Sequence, residues 1–264
     1  MPDHRGSARP ARSGARPVKP PRVKDGGDTR GARHRGRTED RDKKRRDKPP
    51  PKHPPVHISD EVVKELHNAA RPGKGEILVQ VFSEAMAAFA QGDFEEAIEL
   101  GEQAKHIALR SVNAREFLGL AYYNAGRWRE AARELSAFRR ISGSNDQNPI
   151  IADCYRATGK PDKAIEWADQ VDPRQSPPEV FYEAAIVGAG ALSDMGRVDE
   201  AIARLEKLQL EPRVAEEHHL RAWYVLGDLL ERKGRFTQAR KWFESIAAVD
   251  PEMTDAPERA ARIK

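Results

Sequence analysis

Leu220 to Pro251 reads LRAWYVLGDLLERKGRFTQARKWFESIAAVDP, and three of its positions organise the rest of the chain. Gly234 separates two stretches of helical apolar periodicity. A glycine at such a break supplies the left-handed backbone that ends a helix without a Cβ penalty. Ala239 stands five residues later and Gly227 seven residues earlier, both small enough to let two helices approach closely. The spacing predicts a helix–turn–helix unit.

The same punctuation recurs. Gly92-Asp93-Phe94-Glu95-Glu96-Ala97 is followed by Gly126-Arg127-Trp128-Arg129-Glu130-Ala131 and Gly159-Lys160-Pro161-Asp162-Lys163-Ala164, then by Gly196-Arg197-Val198-Asp199-Glu200-Ala201 and the unit at Gly234, with glycine spacings of 34, 33, 37 and 38. Seven residues before each glycine stands a small residue: Ala85, Gly119, Ala152, Ala189 and Gly227. Small facing small is expected to set each pair. Tyr122, Tyr155, Leu192 and Leu230 on first helices, with Leu135, Leu205 and Phe243 on second helices, fill the other faces. A single pair cannot bury its apolar side, so neighbours must stack into an all-α array.

These residues resemble the tetratricopeptide repeat family. Trp223, Leu226, Gly227, Gly234, Ala239, Phe243 and Pro251 stand where the family pattern has them, and LGLAYYNAGRWREAA (Leu118 to Ala132) is a second strong match. Three repeats depart from it. Gly101 replaces a bulky residue, Pro161 takes the aromatic slot, Gly188 replaces leucine, and extra residues fall near 173–179 and 212–217. The resemblance covers about 78–251 and implies an α-solenoid of about five repeats, at 78–111, 112–144, 145–178, 182–215 and 220–251. The layout, a basic Pro/Arg-rich tail ahead of repeats, also resembles a group of actinobacterial proteins of that family.

Outside the array, residues 58–71 read as an N-terminal capping helix. Ser59 or Asp60 is its N-cap and Val62, Val63 and Leu66 form its apolar face. Residues 252–264 read as a short polar C-terminal cap with Pro257 near its start. Residues 1–57 contain ten prolines and no Leu, Ile, Phe, Trp or Tyr, so they cannot bury enough apolar area to offset backbone ordering and are expected to be disordered. Charge divides at the same place. The segment 1–57 holds 18 Lys and Arg against 7 Asp and Glu, a surplus of +11, whereas 58–264 holds 28 against 35, a net −7.

Arg41, Lys43, Lys44, Arg45, Arg46 and Lys48 form a basic block suited to weak, salt-sensitive contact with polyanions, nucleic acid or ribosome among them. The tail has no aromatic residue for base stacking, which argues against sequence-selective nucleic-acid recognition. It could instead screen the acidic body. No run of 18 apolar residues and no apolar signal region appear, so no membrane partner is expected and the cytoplasm is the expected location. Cys154 is the single cysteine and reads as a packed residue. His218 and His219 diverge on a helix by about 100° and cannot share a metal. Gly73-Lys74-Gly75 lacks phosphate-loop spacing. The chain is therefore expected not to be an enzyme, with no catalytic, cofactor or metal residue.

What the family resemblance implies is protein binding on a groove lined by first helices. Positions ten and six residues before each loop glycine are Phe82 and Met86, Glu116 and Leu120, Pro149 and Asp153, Ile186 and Gly190, Tyr224 and Asp228. None is Lys, Arg or Asn, which excludes the family's carboxylate clamp for acidic C-termini. With Tyr123 and Phe89 added, the groove is expected to be apolar at its N-terminal end and mixed to acidic beyond. Helix 59–70 is an alternative cover for Phe82, Met86 and Phe89. An extended or helical protein segment with apolar anchors and basic flanks suits such a face.

Overall fold

The computed structural model describes residues 52–54 and 56–263. The basic block Arg41 to Lys48, and most of the segment expected to be disordered, lie outside the described residues. Among the described residues there are twelve α-helices and no strand. Five antiparallel pairs run in order: α2 (Gly75–Ala90) with α3 (Phe94–Ile107), α4 (Val112–Asn124) with α5 (Trp128–Ser142), α6 (Asn148–Ala157) with α7 (Pro161–Ala168), α8 (Pro178–Asp194) with α9 (Val198–Leu205), and α10 (Glu217–Arg232) with α11 (Phe236–Val249). Helix α1 (Asp60–Ala69) precedes them and α12 (Ala256–Arg262) follows. Each pair packs on the next, and the first helices α6, α8 and α10 touch in series. The architecture is the all-α solenoid that the repeated glycines predict.

The turn inside each pair is made by Gly92, Gly126, Gly159, Gly196 or Gly234, all with φ between 71° and 78°. A side chain at any of them would be strained in this left-handed backbone. Pro161 occupies the first turn of α7, where its missing N–H costs no intrahelical bond.

Packing within pairs differs from small facing small at two places. A Cβ on Gly119 would stand 2.5 Å from Leu135 Cγ, and one on Gly227 would stand 2.9 Å from the Phe243 ring. There the small residue is a socket for a large one. The unusual glycines are sockets too. Gly101 leaves room for Leu118 and Phe117 of the following repeat, and Gly188 for the Arg204 guanidinium.

The core falls into three clusters along the array, with Tyr155, Ile165, Trp167 and Phe181 packing at their borders. The chain leading into the second extra segment is held by two side-chain donors on backbone acceptors. Tyr182 Oη donates to Gln209 O at 2.7 Å and Trp223 Nε1 donates to Leu210 O at 2.8 Å. Helix α1 buries Leu66 and contacts α4 as well as α2. Ser59 stands at its N-cap position without a side-chain capping bond. At the other end α12 buries Ala256 and Ala260, so it is amphipathic rather than polar throughout. Arg259 lies 4.3 Å over the Phe243 ring while pairing with Asp228 and Glu231. No helix of the described residues is long and apolar enough to cross a membrane.

Candidate functional site

Side chains named from the groove positions separate into two groups. Phe82, Met86 and Leu120 are 3%, 5% and 4% exposed and belong to the core. The reason is Phe117 of α4, whose ring lies 5.3 Å from Phe82 and 5.7 Å from Phe89 and fills the space that would have been open. Val56, Val62 and Val63 pack against the same cluster, so the segment before and within α1 shares in covering it. Pro149 is buried as well. Glu116, Tyr123, Asp153, Ile186, Tyr224 and Asp228 are partly exposed.

The partly exposed residues form a polar seam from one first helix to the next. Gln147 Nε2 donates to Glu116 Oε1 at 2.7 Å. Tyr123 Oη donates to Asp153 Oδ2 at 2.7 Å, and Arg156 Nη1 reaches Asp153 Oδ1 at 3.3 Å. The Arg156 Nε donates onward to Asp194 Oδ2 at 2.6 Å, crossing α8 over Gly190. A Cβ on Gly190 would stand 3.1 Å from that guanidinium. Arg221 Nη2 meets the Glu183 carboxylate at 2.8 Å. Further along, Tyr224 Oη donates to Asp255 Oδ1 at 2.7 Å, and Arg259 Nη2 donates to Asp228 Oδ1 at 3.0 Å. The sequence pattern alone missed Arg156 and Arg221. They lie three residues beyond the Asp153 groove position and three before the Tyr224 one, close to one helical turn away.

Electrostatics single out the middle of this seam. Burial among the surrounding side chains raises the Glu183 carboxyl pKa. Arg221 opposes that shift, and Asp153 and Glu217 add to it. Yet the Glu183 side chain retains 32% of its surface, as a group seated between walls and open on one side does. Glu116 is raised for the same leading reason, with Asp146 adding to it. Tyr123 is pushed up by burial and by Asp153, so its hydroxyl stays a proton donor. Such a seat favours an incoming cation, which restores to the carboxylates the stabilisation that water provides elsewhere.

Other candidates have structural roles. Cys154 is 1% exposed, and burial pushes its thiol pKa up, which disfavours the reactive thiolate. His219 Nδ1 accepts from Glu216 N at 3.1 Å, closing a capping box at the start of α10. Buried Glu134 is neutralised by Arg115, by Lys105 at 3.3 Å and by Arg133 at 3.1 Å.

With that geometry in place, comparison with known proteins gives the family. One tetratricopeptide repeat profile matches residues 118–179 and 189–253, and a second profile of that family matches 82–102. The chain belongs to the tetratricopeptide repeat family. Its helices are similar to solved arrays. Against a thermophilic tetratricopeptide repeat protein of Thermus thermophilus the TM-score is 0.51 at 16% identity, covering 70% of this chain and 97% of that one. Against a point variant of a putative kinesin light chain with nearly identical repeats from Podosopora anserina it is 0.55 at 19% identity, covering 72% and 100%. At these identities the likeness is one of fold. The Vi polysaccharide export protein VexE of Salmonella typhi is 31% identical over 160 residues, 59% of this chain. The chain spans 23% of that relative's length.

Proposed function

We propose that this protein is a protein-binding scaffold whose first-helix seam holds a partner segment carrying basic side chains. The scaffold role follows from the family. The ligand chemistry rests on one observation, the raised but solvent-open carboxyl of Glu183 beside Asp153. In this reading Glu116, Tyr123, Asp153, Ile186, Tyr224 and Asp228 meet the partner, while Phe82, Met86 and Leu120 support them from the core. Ile186, half-buried on the same helix as Glu183, is the apolar neighbour for an anchor residue. Arg156 and Arg221 act as internal counter-ions that an incoming basic group would displace or share.

A photo-crosslinking residue placed at Ile186 in the full-length chain, read by mass spectrometry in cells, tests the assignment. A reproducible crosslink to a Lys- or Arg-flanked segment, lost when Glu183→Arg is added, is the expected outcome. Crosslinks obtained only from probes within 1–57 would transfer the function to the basic tail and its polyanion contacts.

A further inference from the structure

Outside the seam, one cluster brings together ligating atoms from distant parts of the chain. His53 Nε2 lies 3.2 Å from Glu96 Oε2 and 3.5 Å from Asp93 Oδ2, and the three ligand atoms all fall within 4.8 Å of one another. The side chains are 16%, 28% and 29% exposed for His53, Glu96 and Asp93, so the cluster is sheltered but open to solvent. Asp93 is the N-cap of α3, its Oδ1 accepting from Glu96 N at 3.3 Å. That bond fixes the carboxylate and leaves Oδ2 turned to the cluster.

We propose that His53, Asp93 and Glu96 form a divalent metal site for zinc, with water completing the coordination. The ligand set is one imidazole nitrogen and two carboxylate oxygens, which suits a borderline cation better than calcium or magnesium. Bonds of about 2.0–2.2 Å place the ligands of a tetrahedral zinc roughly 3.3–3.6 Å apart. The two His53 distances lie near that range before any adjustment.

A cation already uses this seat. Lys52 Nζ contacts Asp93 Oδ2 at 2.5 Å and Glu96 Oε2 at 2.8 Å. Its side chain is 64% exposed, so it can swing into water with little loss, as exposed ion pairs add little to stability. Lys52 therefore holds the carboxylates together without metal, and zinc replaces the ammonium. Ser83 Oγ donates to Val56 O at 2.8 Å, a second tie between this part of the chain and α2. Bound zinc would fasten the stretch that carries His53 to the first repeat.

The test is zinc titration of the full-length chain by calorimetry, with Co²⁺ absorption as a second readout. One site is expected, weakened at least ~10-fold by His53→Gln and by Asp93→Asn at unchanged helical circular dichroism. Lys52→Ala should leave affinity equal or tighter. The proposal is overturned by an absence of binding, by His53→Gln binding as tightly as the parent chain through other histidines, or by Lys52→Ala losing the site. In those cases Lys52 and His53 form only an ion-pair clasp.

Discussion

Gly188 and Arg204 compete for one volume: a Cβ built on Gly188 would stand 2.5 Å from Arg204 Nε, and Arg204 Nη1 uses that space to reach Asp169 at 2.7 Å. The family's usual leucine at position 188 would evict the guanidinium. Gly188→Leu is therefore expected to displace the flexible guanidinium and lose its bond to Asp169, which offsets the gain of about 1 kcal/mol that replacing a mid-helix glycine brings in denaturant unfolding. In an Arg204→Ala background the same change should show that gain in full, a stabilisation of about 1 kcal/mol. A coupling under about 0.5 kcal/mol in the double-mutant cycle would show that the two do not compete.

Glu65 is a cap supplied from another helix. Its carboxylate accepts from Ser111 Oγ at 2.9 Å, Val112 N at 2.8 Å and Asn113 Nδ2 at 2.9 Å, at the start of α4. Glu65→Ala should cost about 1–2 kcal/mol, in line with losing an N-cap. Hydrogen exchange should speed up in the first turn of α4, with α10 unchanged.

Titration of Glu183 should be visible in stability. Its folded pKa lies above the unfolded value of about 4.3, so the folded state holds the proton more tightly. Its contribution is greatest below about pH 4.3 and declines as pH rises through the folded pKa. Glu183→Gln should remove that decline, seen as a flatter dependence of the urea midpoint on pH above about 4.3. An identical pH profile for both chains would contradict the burial argument.

Cys154 should be silent in the native protein. With 1% exposure and a thiol pKa pushed up by burial, it is expected to resist a disulfide exchange reagent until denaturant is added, then to titrate as one thiol.

How much of this was readable beforehand depends on the range of each interaction. The five turn glycines announce themselves because a left-handed backbone is a local demand, met by the residue itself. Pairing of Tyr123 with Asp153 joins a groove position that the glycine spacing selects, Asp153, to an aromatic residue one turn from another, Leu120. Sockets such as Gly101 and Gly188 look like defects in the repeat when read alone, since the side chains that fill them stand 16 or 17 residues away on another helix. Phe82 and Met86 could not be assigned to core or groove from spacing, because the deciding neighbour, Phe117, belongs to the next repeat. The His53 cluster was invisible for the same reason, as its carboxylates lie 40 and 43 residues further on.

Glu65 has a last consequence, for cooperativity. Repeat arrays are usually treated as a one-dimensional lattice in which each unit couples to its nearest neighbour. Helix α1 lies before the first pair, yet its carboxylate binds the first helix of the second pair, a coupling that skips a lattice site. The first pair is thereby bracketed on both sides by one element. Losing α1 therefore removes contacts from the first and second pairs at once, whereas losing α12 removes contacts from the last pair alone.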